Sequence, residues 1–389
     1  MRARSLATLV GPATLAVLAL LAVGGCRKKA SGGSGPILLG HVASLSGAEA
    51  TFGQSTDRGI RLAVTEQNAA GGVKGRQLEV KTLDDQGKPE EAAVAATRLV
   101  SQDHATVLLG EVASSRSLAM APIADRYQVP MVTPSSTNPK VTREGGKTRP
   151  YVFRVCFIDP FQGTVMAKFA REELKLDEVA VLRDVGNDYS VGLASYFVEK
   201  FTQLGGKVVA DESYRAGDQD FKAQLTAIKA RAPQALYVPG YYTDVALIAR
   251  QVRELGMRQP LMGGDGWDSP RLHEIAGAAV EGSYFSNHYS NADPAPRIQQ
   301  FVKRYRETYG ETPDSMAATG YDAARVVFAA MERAPGLDGP ALEKALAATR
   351  DYAGVTGVIT IDADHDAVKP AVVLKIEDGV ARWVATVKP

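Results

Sequence analysis

From Ile37 onward the chain alternates short, almost wholly apolar runs with amphipathic segments of helical period, and this alternation narrows the possible folds more than any other feature. ILLGHVASL precedes a helix pattern through Ile60, Ala63, Val64 and Gln67, and QLEVKTLDD precedes a helix opened by Pro89. TVLLG (106–110), PMVTP (130–134), VAVLRDV (179–185), GKVVADES (206–213), ALYVPG (235–240) and PLMGGDG (260–266) continue the series, each followed by a helical segment. Runs so nearly apolar suit strands buried on both faces, which is the environment of a parallel sheet covered by helices. The series falls into two similar stretches, 37–140 and 177–268, joined by TRPYVFRVCFIDPFQG. An α/β architecture with two doubly wound sheets is the simplest solution. After Tyr284 come three helical segments, near 295–309, 314–334 and 339–349, and three strand-like runs, GVITID, AVVLKI and ARWVATV.

The 389 residues are 45% apolar and 23% charged, so neither a disordered chain nor a polytopic membrane protein fits. Lys and Arg number 45 against 44 Asp and Glu, which leaves no basic excess for a phosphate backbone and excludes nucleic acid as a partner. At the N-terminus, Arg2 and Arg4 precede an apolar run from Leu6 to Val23, broken at Gly11-Pro12 and leading through Gly24-Gly25 into Cys26. That is the pattern of a secretory leader. Its unbroken part, Ala13 to Val23, is shorter than the roughly 20 residues a membrane span needs. The segment resembles a bacterial lipoprotein signal, which implies a signal peptide over 1–25 and a lipid on Cys26. Residues 26–36, ending in RKKASGGSGP, then read as a lipidated tether whose Arg27, Lys28 and Lys29 favour an anionic membrane surface. With Cys26 acylated, Cys156 has no intrachain partner, and its apolar surroundings make it a buried hydrophobe.

In open α/β sheets ligands bind beyond the carboxyl ends of the strands, where helix N-termini converge. That rule selects Glu111 to Ser115 after TVLLG, Ser135 to Asn138 after PMVTP, and Asn187 to Tyr189 after VAVLRD. It also selects Tyr241 and Tyr242 after ALYVPG, and Asp265 to Trp267 after PLMGG. Taken singly, the hydroxyls are ordinary helix caps and the tyrosines ordinary packing residues. Taken together, two hydroxyl-rich helix starts suit a carboxylate and Asp265 suits a cation, which describes a site for a zwitterion.

SLSGAEATFGQ, GGVKGRQLEVKTLDDQGKPEEAA, GEVASSRSLAMAPIADRYQVPMVTPSSTNP, YVPGYYTDVALIARQVRELG and MGGDGW, in that order and spacing, resemble the branched-chain amino-acid binding proteins of bacterial ABC transporters, over nearly all of 37–389. The resemblance implies a type I periplasmic binding protein: two Rossmann-like lobes joined by a three-strand hinge, here 37–155 with 286–361 and 156–285 with 362–389. It implies that Ser114 and Thr137, with backbone of Val112 and Ser135, hold the ligand carboxylate, and that Asp265 pairs with the ammonium. Tyr189 and Tyr241 would cover the ligand, and Phe52, Trp267 and Met316 would line its side chain. Leucine-type members have Glu at the Asp265 position and a cysteine pair absent here. The expected partners are a neutral or branched-chain amino acid, ABC permease subunits in the inner membrane, and a membrane surface through Cys26. The protein is expected as an extracytoplasmic monomer without a cofactor. The same fold binding an amide, urea or aromatic acid, or acting as a ligand sensor, is the alternative.

Catalysis and metal binding find no support in the sequence. Asp362-Ala363-Asp364-His365-Asp366 has the alternating carboxylates of a calcium loop, but Ala367 and Val373 stand where Gly and Glu are required, so an acidic turn is expected. His41, His104, His273, His288 and His365 show no paired metal spacing. No nucleophile elbow, phosphate loop or GxGxxG after a strand is present.

Overall fold

The apolar runs pair as strands in two separate sheets. In the computed structural model residues 35–389 are described; the expected signal peptide, the Cys26 anchor and most of the tether lie outside the described residues. The first sheet has five parallel strands, in the order Leu78–Asp84, Ile37–Ala43, Val107–Leu109, Met131–Thr133 and Val152–Arg154. The second has seven, in the order Val380–Val387, Ala371–Glu377, Tyr284–Asn287, Leu261–Gly263, Ala235–Tyr237, Glu178–Asp184 and Lys207–Tyr214. Its last five are parallel, and the first two form an antiparallel hairpin along one edge. GVITI (357–361) lies instead in a small three-stranded sheet with Tyr352–Gly354 and Ala367–Val368.

Each large sheet is buried on both faces, and alternate residues of a strand feed different cores. Val107, Leu109, Val132 and Phe153 face the helices Ala50–Ala69, Pro296–Tyr309 and Ser315–Arg333. Leu108, Met131 and Val152 face the helices Pro89–Ser101 and Ser114–Tyr127. In the second sheet Val179, Val181 and Tyr237 point one way, while Ala180, Leu182, Leu236 and Val238 point the other. The chain passes between the two halves three times: after Arg154 into the helix Asp159–Lys168, after Asn287 into Pro296–Tyr309, and after Val368 into the strand Ala371–Glu377. The fold is therefore the two-lobed α/β arrangement expected.

Two helices of the first lobe approach closely because small residues face each other. A Cβ on Gly59 would lie 2.0 Å from the Ala317 carbonyl oxygen, and one on Gly320 would lie 2.8 Å from that of Thr56. The contact lies in the first two turns of Ser315–Arg333, whose N-cap is Asp314, accepting from the Ala317 amide at 2.9 Å. Among the described residues no helix is long and apolar enough to cross a membrane.

Candidate functional site

The strand ends selected from the sequence meet between the lobes. In the first lobe the turns after Leu109 and Thr133 are bound together by hydroxyl groups. Thr133 and Ser136 donate to the Glu111 carbonyl at 2.6 and 2.9 Å, Ser135 donates to the Val112 carbonyl at 3.0 Å, and the Ser114 hydroxyl accepts from the Asn138 amide at 3.2 Å. None of Ser114, Ser135 and Thr137 is an N-cap: Ala113 occupies that place for the helix Ser114–Tyr127, and Asn138 for the short turn Pro139–Val141. The Thr137 hydroxyl is wholly buried and has no partner. Behind these turns Arg154, wholly buried, donates to the carbonyls of Ser136 and Asn138, to Thr142 at 2.9 Å and to Asp366 at 2.6 Å. Asp366 is thereby used as a structural anchor, and Asp362 accepts from the amides of Asp364 and Asp366, so the acidic turn closes on the protein itself. Among the described residues no group of His, Cys, Asp or Glu could hold a metal ion.

In the second lobe Asp265 is the centre. Its Oδ1 accepts from Gln162 Nε2 at 2.7 Å and from the Tyr189 hydroxyl at 2.9 Å, and its Oδ2 lies 2.9 Å from His288 Nε2. Tyr189 stacks on Tyr241, centroids 5.2 Å apart and planes 6° from parallel, and Tyr241 meets Phe52 of the first lobe edge-on at 5.7 Å. Burial raises the pKa of both tyrosines, which keeps them neutral donors. Trp267 is wholly buried: its Nε1 donates to the Val238 carbonyl at 3.0 Å, and its ring lies where a Cβ on Gly263 would be. It also borders a cavity of about 430 Å³ between Ser55 and Asp314 of the first lobe and Asp268 and Ser269 of the second.

Phe52, Val112 and Met316 do not join the core of their own lobe. They are buried in the apolar cluster of the second lobe, with Tyr242, Trp267 and Phe285. Polar contacts reinforce that seam. Asn138 Nδ2 donates to the Asp188 carbonyl at 2.7 Å, Thr243 donates to the Ala48 carbonyl at 2.7 Å, the Thr51 and Ser269 hydroxyls lie 2.9 Å apart, and Asp268 accepts from the Ser315 amide at 2.7 Å.

Three site residues were not singled out from the sequence. Gln162 and His288 hold Asp265, and Asp159, one helical turn before Gln162, is wholly buried with both carboxylate oxygens unpartnered. Its amide donates to the Thr137 carbonyl at 2.9 Å. Burial pushes its carboxyl up to about 8; the charge of Asp265 adds to that, and Thr137 and Arg154 oppose it. In sequence, Asp159-Pro160 reads as an ordinary acidic helix start, and its only signal is the one-turn spacing to Gln162.

The chain matches the family model described as periplasmic binding protein over residues 36–381. It belongs to the periplasmic binding protein family. This periplasmic binding protein is 30% identical to the Leu/Ile/Val-binding protein homolog 3 of Brucella melitensis, over 90% of this chain and 94% of that one. Among solved structures it is similar to the leucine-binding protein LivK of Thermotoga maritima, with 42% identity, TM-score 0.86, and 91% and 99% of the two chains covered. It is also similar to the LivJ of Streptococcus pneumoniae in complex with isoleucine, with 34% identity, TM-score 0.85, and 91% and 100% covered. As a periplasmic binding protein it belongs to a family of extracytoplasmic solute-binding proteins rather than enzymes.

Proposed function

We propose that the protein captures a free α-amino acid, branched-chain or otherwise neutral, between its lobes and presents it to the permease of an ABC importer. The single observation that carries this reading is the pairing of unlike polar groups across the seam: hydroxyls at Ser114 and Thr137 on one side, buried carboxyls at Asp265 and Asp159 on the other. The hydroxyl side, with the amides of the helix start, suits the carboxylate of the ligand. The carboxyl side suits its ammonium. Phe52, Val112 and Met316 offer apolar surface to an aliphatic side chain. The names of the similar proteins, which bind leucine, isoleucine or valine, support the same class of ligand.

An amide, urea or aromatic acid would leave two buried carboxyls without a cation, so these ligands gain nothing from Asp265 and Asp159. Tyr241, stacked on Tyr189 within the second lobe, meets Phe52 of the first lobe edge-on, and that contact, available only when the lobes meet, favours closure. Closure is then the state a permease recognises. We extend the reading to a lipid anchor at Cys26, a monomeric state and no catalytic activity.

The test is titration calorimetry of the purified protein against leucine, isoleucine, valine, threonine, alanine, leucinamide and benzoate. Binding of one or more amino acids that is lost with leucinamide supports the reading. Heat from benzoate or leucinamide and none from any amino acid overturns it.

A further inference from the structure

Asp265 has four acceptor positions, and three are taken. Oδ1 receives Gln162 and Tyr189, while Oδ2 receives only His288, so one direction on Oδ2 stays open. Two donors come from helices of the second lobe and the third, His288, from the start of the crossing after Asn287, and the carboxylate cannot swing toward a ligand without breaking one of these bonds. His288 is also the one donor of the three that titrates as an imidazole. Its ring is wholly buried against Phe157, with centroids 4.1 Å apart, and its Nδ1 has no partner.

The geometry determines where its protons go. Facing a carboxylate, Nε2 carries the hydrogen of the neutral ring and donates it to Asp265. A second proton has only Nδ1 to occupy, and no acceptor stands there. The groups that act on the ring are Asp265, which favours the charged form, and at longer range Asp268, which favours it, and Lys369, which opposes it; burial outweighs them and holds the imidazole below its usual pKa.

We propose that His288 is a positioning residue for ligand capture: its Nε2–H holds Asp265 with one acceptor direction free for the ligand ammonium, and protonation of the ring in acid ends that arrangement. The charged imidazole competes with the ammonium for the same carboxylate and strands an N–H without a partner. Capture then weakens as the medium turns acid. This inference rests on the amino-acid reading of the site.

The experiment compares wild type, His288→Gln and His288→Leu by calorimetry with leucine at pH 7.5, 6.0 and 5.0, with a thermal melt of each protein at each pH. Gln keeps an N–H donor at the position of Nε2 and cannot titrate. Wild type is expected to lose affinity progressively from pH 7.5 to 5.0, by up to about tenfold per pKa unit of coupling between ring and ligand. His288→Gln is expected within about threefold of wild type at pH 7.5, and in acid to keep only the part of the decline that Asp159 contributes in both proteins. His288→Leu is expected to lose about tenfold or more at every pH, the range for a hydrogen bond to a charged group. The same acid decline in His288→Gln as in wild type, or wild-type affinity in His288→Leu, overturns the proposal. If His288→Leu does not fold, the pH profile of His288→Gln decides alone. Failure of wild type to bind any amino acid at pH 7.5 overturns the amino-acid reading itself, a result distinct from tight binding without pH dependence, which overturns only the role of His288.

Discussion

The Asp159 amide donates to the Thr137 carbonyl at 2.9 Å, and the Thr137 hydroxyl stands near enough to the Asp159 carboxyl to oppose the rise of its pKa, yet neither side chain completes a hydrogen bond. Backbone contact holds the two residues together while their side chains stay unsatisfied. Unpaired buried polar groups are costly, and their concentration in the cleft between two lobes is what a site awaiting a charged ligand requires.

Asp159→Asn is expected to stabilise the ligand-free protein while weakening capture. The carboxyl is raised from an ordinary 3.8 to about 8, so the folded state holds a proton that the unfolded state loses between those values. Its contribution to stability is therefore full below about pH 3.8 and is lost as pH rises through about 8. Asn does not titrate. Melting temperatures should be nearly equal near pH 4 and higher for Asn by several degrees at pH 8, because the rise from 3.8 to about 8 is worth several kcal/mol once the carboxyl is ionised in both the folded and the unfolded protein. Equal melting at both pH values would show that the carboxyl carries no cost.

Asp265→Asn is expected to reduce affinity for an amino acid by about 10- to 100-fold, as for loss of a hydrogen bond to a charged partner, with little change in melting temperature. The Asn oxygen can still accept from Gln162 and Tyr189, while its NH2 group faces His288 Nε2, which accepts from it in the other neutral tautomer. Calorimetry with leucine checks the affinity, and an unchanged value removes Asp265 from the ammonium site.

Gly263→Ala should destabilise the second lobe. The new Cβ would lie 2.2 Å from indole atoms of Trp267, whose Nε1 is tied to the Val238 carbonyl and whose other face packs toward Phe285. Overpacking of this kind costs about 1–3 kcal/mol. Urea unfolding measures it, and a loss below about 0.5 kcal/mol would mean that the indole relocates freely.

Asp366→Ala should cost about 3–5 kcal/mol, because it leaves the Arg154 guanidinium buried without its counter-ion. The same substitution loosens the turn from Ser136 to Thr142, which Arg154 binds at three further points. Ligand affinity should therefore fall together with stability. Arg154→Met, which removes the buried charge itself, should be milder in a parallel urea titration.

The sequence made the large-scale order of the chain legible. The strands near 107, 131, 179, 207, 235 and 261 and the three late helices stand where period and punctuation placed them. AVVLKI and ARWVATV did form strands, but their pairing as an antiparallel edge on the second sheet depends on which edge lay open once the parallel strands were laid down. Local period cannot encode that choice. Val112, Ser114, Ser135, Thr137, Tyr189, Tyr241 and Asp265 are selected by the sequence because the ends of parallel strands are a predictable address, and the fold brings them to the seam between the lobes. Trp267 was placed beside the ligand by resemblance, and the structure puts it in the cluster with Phe52 and Met316, where it also closes against Gly263.

By itself, then, the sequence determined the alternation of buried strands and covering helices, because burial on both faces of a parallel sheet leaves a continuous apolar signature that neighbouring residues share. Only the tertiary structure decided which polar groups would be paired. Asp265 meets residues 103, 76 and 23 positions away, and the Asp159 carboxyl completes no hydrogen bond, because side-chain hydrogen bonds within a cleft depend on the packing of separate helices and not on spacing along the chain. The escape of Phe52, Val112 and Met316 from one core into the other follows the same physics, since an apolar side chain is buried wherever the closing surfaces meet.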